Sequence, residues 1–123
     1  ELPRIVADGR HRAGRRLVEL FVRIWDEQGT RNPILTLLRA AMTEPKAAAL
    51  LRERLMPELY FPLMDLLGSD RPEMRAELVA SQLLGLGISR YVLGFEPIAS
   101  ASSDEVVELL TPTVQRYLTG KLD

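Results

Sequence analysis

The sequence predicts an all-α fold, a bundle of about six helices. Three observations carry that expectation. Aromatic residues make up only 6% of the chain, and the apolar weight falls on Leu, Ala, Val and Met, a mix that favours helices over a β-sandwich. Apolar residues recur at helical spacing in segment after segment. Start and stop signals divide those segments: Gly9, Asn32-Pro33, Glu44-Pro45, Gly68-Ser69-Asp70, Glu96-Pro97 and Ser102.

Residues 2–8 read as the tail of a helix stopped at Gly9. Residues 12–27 form an amphipathic helix, with Gly14, Leu17, Phe21, Ile24, Trp25 and Gln28 along one face. Arg15, Glu19, Arg23 and Glu27 alternate in sign on the other side, a pattern that supports an exposed helix surface. Asn32 caps a helix over 33–43 with Pro33 in its first turn. That helix carries Ile34, Leu35, Leu37, Leu38, Ala41 and Met42 with Arg39 as its only charge, so most of it should be buried.

Pro45 starts the next helix, through Ala48, Leu51, Leu55 and Leu59, with Arg52, Glu53 and Arg54 outward. A kink or break is expected near Pro57 and Pro62, because proline deletes a backbone donor and crowds the preceding turn. Ser69 or Asp70 should cap a long helix over about 71–94. Its first half sets Met74, Leu78 and Val79 against Arg71, Glu73, Arg75 and Glu77. Its second half is apolar nearly all round: Leu83, Leu84, Leu86, Ile88, Tyr91, Val92 and Leu93. Such a helix needs cover on every side, which implies a partner surface. Ser81, Gly85 and Ser89 add a small-residue stripe that lets another helix approach closely. Ser102 and Glu105 form a capping box for a last helix over 103–119, in which Pro112 should introduce a bend before Gly120 ends it.

Chemistry-bearing patterns are few. The chain has 123 residues, enough for one domain with a real core. Its 16 basic and 17 acidic side chains give a net charge of −1, without the basic excess typical of a domain that binds nucleic acid by itself. With no cysteine, disulfides, thiolate nucleophiles and cysteine zinc sites are excluded. The single histidine, His11, lies among Arg10 and Arg12, neighbours that disfavour the imidazolium a catalytic triad must form. It reads as a solvated surface residue. Gly85-Leu86-Gly87 sits mid-helix without the lysine of a phosphate loop. No catalytic residue, metal ligand or cofactor is therefore expected, and the protein reads as no enzyme.

No signal peptide or membrane span is visible, since the greasiest stretch, 78–95, holds Gln82 and Arg90. A cytoplasmic protein with no membrane partner is expected. The chain opens without Met in apolar sequence, so it reads as a piece of a longer protein. Arg4, Arg10, Arg12, Arg15 and Arg16 form its one basic concentration, read as a solvated turn offset by later acids rather than a contact to DNA. Phe21, Trp25, Met42, Met56, Tyr60, Phe61 and Met64 are either core or the lining of an adaptable apolar cavity.

The stretch Ala80-Ser81-Gln82-Leu83-Leu84-Gly85-Leu86-Gly87-Ile88-Ser89-Arg90-Tyr91-Val92-Leu93 resembles the penultimate helix of TetR-family transcription regulators. Its sequel through Glu96-Pro97-Ile98, Val106 to Pro112 and Gln115 to Gly120 resembles the same family. Earlier pieces agree: Ile24-Trp25-Asp26, Leu37 to Ala41 and Ala47 to Arg54.

The resemblance implies that residues 1–123 are the regulatory domain, which binds an effector and pairs with a second copy. A helix-turn-helix domain absent from this chain would bind operator DNA. The last two helices would form an intersubunit four-helix bundle, with Leu83, Leu86, Arg90, Leu93, Val107, Leu110, Val114 and Leu118 as candidates for the homodimer interface. Phe21, Trp25, Leu38, Met42, Leu55, Leu59, Leu84 and Tyr91 are candidates for the ligand-binding pocket. Spacing does not decide which of Leu83 and Leu84 faces which way. Few polar groups converge on the apolar faces, which points to a small lipophilic effector rather than a sugar or nucleotide. On the family pattern, that effector would release a repressor from DNA. The rival readings are a helical dimerisation module with a filled core and a small enzyme using the same cavity.

Overall fold

Every helix must satisfy its first backbone N–H groups, and this chain does so in two ways, locally and from a distant helix. The computed structural model describes residues 2–123. Its helices are α1 (Leu2–Val6), α2 (Ala13–Gln28), α3 (Pro33–Thr43), α4 (Pro45–Leu50), α5 (Met56–Leu67), α6 (Pro72–Gly87) and α7 (Ser103–Thr119). A widened turn at Leu51–Leu55 joins α4 to α5 as one rod, and a second at Ile88–Val92 extends α6. The result is an all-α bundle of six rods, with no strand among the described residues.

Two caps are local. Asn32 Oδ1 accepts from the Ile34 N–H at 3.0 Å, with Pro33 in the first turn of α3. Ser102 Oγ accepts from the Glu105 N–H at 3.1 Å at the start of α7. The start of α2 has no local side-chain cap. Gln115 of α7 supplies one: its Oε1 accepts from the Gly14 N–H at 2.7 Å, and its Nε2 donates to the Arg10 carbonyl at 2.9 Å.

At α6 the expected cap is replaced. Pro72 takes the first turn and Arg71 precedes it with φ 49°. Ser69 and Asp70 bond elsewhere. Ser69 Oγ donates to the Leu118 carbonyl at 2.7 Å, and Asp70 accepts from Arg75 Nη2 at 2.7 Å. Arg75, on the charged side of the sequence pattern, is only 3% exposed. Its Nε also donates to the Asp70 carbonyl at 2.6 Å, and its Nη1 to the Tyr117 carbonyl at 3.0 Å. A buried guanidinium is tolerable here because donors meet acceptors and its charge lies at the negative end of the α7 dipole.

The prolines do not break the rods. The Met56 N–H reaches back five residues to the Leu51 carbonyl, so the widened turn absorbs the bonding gap ahead of Pro57. Pro62 and Pro112 lie inside α5 and α7, which continue past them. The expected burial of α3 also differs. Only Leu35 is buried, and Met42 is 77% exposed, because α3 packs as a hairpin on α4 instead of entering the bundle.

The core centres on the crossing of α2 and α7. Ala13, Val18 and Val114 are fully buried and Leu118 nearly so. Val79, Leu83 and Leu86 of α6 pack on one side of this pair, and Leu63, Met64 and Leu67 of α5 complete the cluster. A Cβ on Gly14 would lie 2.7 Å from Gln115 Cα, so glycine sets the helix spacing. Gly14→Ala is expected to cost roughly 1–3 kcal/mol by overpacking, read as a lower urea midpoint with an unchanged slope.

The hydrogen bond from Arg75 holds the Asp70 carboxyl below its ordinary pKa of 3.8. A depressed carboxyl stabilises the fold above its unfolded pKa and loses that contribution as pH falls through the folded value. Asp70→Asn should therefore lower the melting temperature at neutral pH. Its difference from the unsubstituted protein should shrink as pH is taken below 3.8.

Candidate functional site

Apolar side chains at three- and four-residue intervals give α2 two ridges. One, including Val18 and Val22, enters the core. The other, Leu17, Leu20, Phe21, Ile24 and Trp25, faces a half-open cavity of about 440 Å³. α5 contributes Met56, Leu59, Tyr60, Leu63 and Met64, and α6 contributes Ala76, Val79, Ala80, Leu83 and Leu84. Ile5, Asn32, Ile34 and Leu118 complete the wall. The volume lies in the range of roughly 300–1,000 Å³ common for small-molecule sites.

Aromatic rings brace one end. Trp25 is 3% exposed and its ring stacks on Tyr91 at 5.4 Å, with Phe21 tilted against it at 6.0 Å. Gly87 lets α6 pass close to this cluster, since a Cβ there would stand 3.0 Å from Trp25 Cζ2. The Tyr91 hydroxyl donates to Asp26 at 2.8 Å, and Ser103 Oγ donates to the other oxygen of the same carboxylate at 2.6 Å. This links α2 to the start of α7. Nearer the other end, the Tyr60 hydroxyl donates to Glu77 and ties α5 to α6. Burial, then the bond to Glu77, pushes the Tyr60 pKa up to about 12, so the proton stays on at neutral pH.

On the opposite side of α6 lies an open groove of about 800 Å³, floored by α6 and α7 and edged by the turn at 97–101. Ser81, Gly85 and Ser89 line it from α6, and Leu109 and Leu110 from α7. Leu109 is 73% exposed, and a Cβ on Gly85 would meet open space.

Of the pocket candidates, Phe21, Trp25, Leu59 and Leu84 line the cavity. Tyr91 stands behind Trp25, Leu55 lies in the widened turn one residue before Met56, and Leu38 and Met42 sit on α3 away from the wall. Of the pairing candidates, Leu86 and Leu110 border the groove, and Leu93 is exposed just beyond the second widened turn. Val107, Val114 and Leu118 are buried within the subunit, and Leu83 faces the cavity. Arg90 is turned inward onto the 94–102 segment. Its Nη1 donates to the carbonyls of Ile98 at 2.7 Å and Ala101 at 2.6 Å.

Asn32 was legible in the sequence only as a cap, yet it is 96% buried on the cavity wall (4% exposed). Arg12 and Arg16 pair with Asp8, Arg15 and Arg16 with Glu19, and Arg15 with Glu108, so three of the five arginines of the basic cluster are paired with acids within the subunit. Among the described residues no cluster of side chains could hold a metal ion, and no helix is long and apolar enough to cross a membrane.

The domain thus has an apolar pocket on one side of its penultimate helix and an open groove on the other. Residues 11–118 match the family model for the tetracyclin repressor-like C-terminal domain, and the chain belongs to that family. Domains of this family serve transcription regulators, typically binding ligands and forming dimers. Searches of curated proteins and of solved structures give no match.

Gly87→Ala tests the bracing cluster. The new methyl should displace Trp25, lowering stability by about 1–3 kcal/mol and shifting the emission of this single tryptophan to the red. Unchanged emission would contradict the close packing.

Proposed function

We propose that residues 1–123 are the effector-sensing and homodimerisation domain of a cytoplasmic TetR-type repressor. Operator DNA is contacted through a separate helix-turn-helix domain, and a small lipophilic ligand releases it. The observation that supports this most is the two-sidedness of α6. Val79, Leu83 and Leu84 face a half-open apolar pocket, while Ser81, Gly85 and Ser89 face a wider groove beside exposed Leu109.

The small residues of α6 let a second copy's helices seat against it, and Leu93, Leu109 and Leu110 supply the apolar area. Leu83, Leu86, Val107, Val114 and Leu118 then hold α6 on α7 so that the two present one surface. Ligand in the cavity acts by binding one arrangement of α2, α5 and α6 better than another, because only differential affinity shifts such an equilibrium. The contact from Asp26 to Tyr91 and Ser103 gives a rearranged α2 a direct hold on the start of α7.

Light scattering at micromolar concentration tests the pairing: the unsubstituted chain should be a dimer and Leu109→Glu a folded monomer. A monomeric unsubstituted chain would overturn it. Thermal melting with lipophilic compounds tests the sensing. Stabilisation by some of them is expected, and no stabilisation by any would favour a pairing module that senses nothing.

A further inference from the structure

The cavity reading can be carried to the chemistry of the ligand through the polar atoms of the wall, and this inference rests on that reading. Asn32 is the one polar amide among the lining residues. Its backbone N–H donates to the Gly29 carbonyl at 3.2 Å, its carbonyl accepts from the Leu35 N–H at 3.0 Å, and its Oδ1 accepts from the Ile34 N–H at 3.0 Å. The cap fixes which way the amide points, since a flipped amide would set Nδ2 against the Ile34 N–H.

Nδ2 is left over, and it donates to no described residue. Among the described residues the only fully enclosed side-chain polar atom without a partner is Arg90 Nε, so Nδ2 is not sealed off. Asn32 is only 4% exposed and stands on the cavity wall. The Tyr60 hydroxyl has already given its proton to a bond with Glu77. No lining residue is a carboxylate, a lysine, an arginine or a histidine.

We infer that this cavity selects uncharged, largely apolar molecules that carry a carbonyl-type hydrogen-bond acceptor, held by Asn32 Nδ2. An acceptor satisfies a donor that would otherwise be stranded when water leaves. A ligand N–H or O–H would find no charged acceptor on the wall, only the oxygen of the Tyr60 hydroxyl. A carboxylate would lose its hydration with no cation on the wall to replace it.

Calorimetric titration of the chain with three probes of one shape tests this: 2-acetylnaphthalene, its hydrocarbon isostere 2-isopropenylnaphthalene, and 2-naphthoate. The ketone should bind about tenfold more tightly than the hydrocarbon, the worth of one hydrogen bond, and the anion more weakly than either. Asn32→Asp keeps an oxygen to cap α3 but has no donor. It should remove the ketone's advantage, with hydrocarbon binding reporting that the cavity is still formed. Equal affinity of the unsubstituted chain for ketone and hydrocarbon, or tightest binding of naphthoate, would overturn the inference and leave the lipophilic cavity standing. If none of the three binds, both the cavity reading and the inference fall.

Discussion

Of the glycines in this subunit, Gly14 has the tightest neighbour, Gln115, and the rest of the bundle depends on that approach. Without a side chain on Gly14, α2 and α7 come near enough to enclose Ala13, Val18 and Val114 completely. The same approach brings the Gln115 amide to the uncapped start of α2, where it takes the Gly14 N–H and gives a proton to the Arg10 carbonyl. One residue therefore fixes spacing and register together. With α2 and α7 locked, α6 packs along α7 and its remaining faces are assigned. The side toward α2 and α5 lines an apolar pocket, and the outer side lies along a groove.

That assignment gives a physical route between the two faces. Trp25 belongs to the cavity wall and stacks on Tyr91, which shares the Asp26 carboxylate with Ser103 at the first residue of α7. Tyr91 lies in the widened turn Ile88–Val92, where Leu93 N–H reaches the Ile88 carbonyl at 2.8 Å. Wider turns of this kind tend to occur at functional positions, because a local shift of register changes which way several side chains point. Arg90, in the same turn, holds the 94–102 segment through the carbonyls of Ile98 and Ala101. Displacing Trp25 would thus act on residues that border the groove.

Much of the fold was legible in the sequence where the deciding interaction is local. The Asn32-Pro33 and Ser102-Glu105 signals place two helix starts, because a cap and its N–H lie within three residues of each other. The apolar second half of α6 announced that two surfaces must be covered. What stayed hidden depends on distant partners. Arg75 alternates with Glu73 and Glu77 as an outward charge would, yet it is buried against carbonyls of α7 some forty residues on. Ser69 and Asp70 looked like caps, and instead bond Leu118 and Arg75. The apolar run of α3 looked like core, but its main cover is α4. The site divides in the same way. Phe21 and Trp25 were readable from the helical period of α2, whereas Leu83 and Leu84 differ only by a rotation set by where α7 sits. Asn32 spoke in sequence as a cap, and only the burial of α3's first turn against the cavity gives its amide a second role.

The central claim is that the outer side of α6 and α7, and not another exposed apolar surface, receives a second copy of the chain. The absence of cysteine makes a single-site crosslinking test clean. Leu109, beside the groove, and Leu66, on α5, are both well exposed at 73% and 58%. Each is replaced in turn by cysteine and treated with a short bifunctional thiol reagent. The account predicts a covalent dimer from the Leu109 variant and monomer from the Leu66 variant. A dimer from the Leu66 variant alone, or from neither, would contradict it.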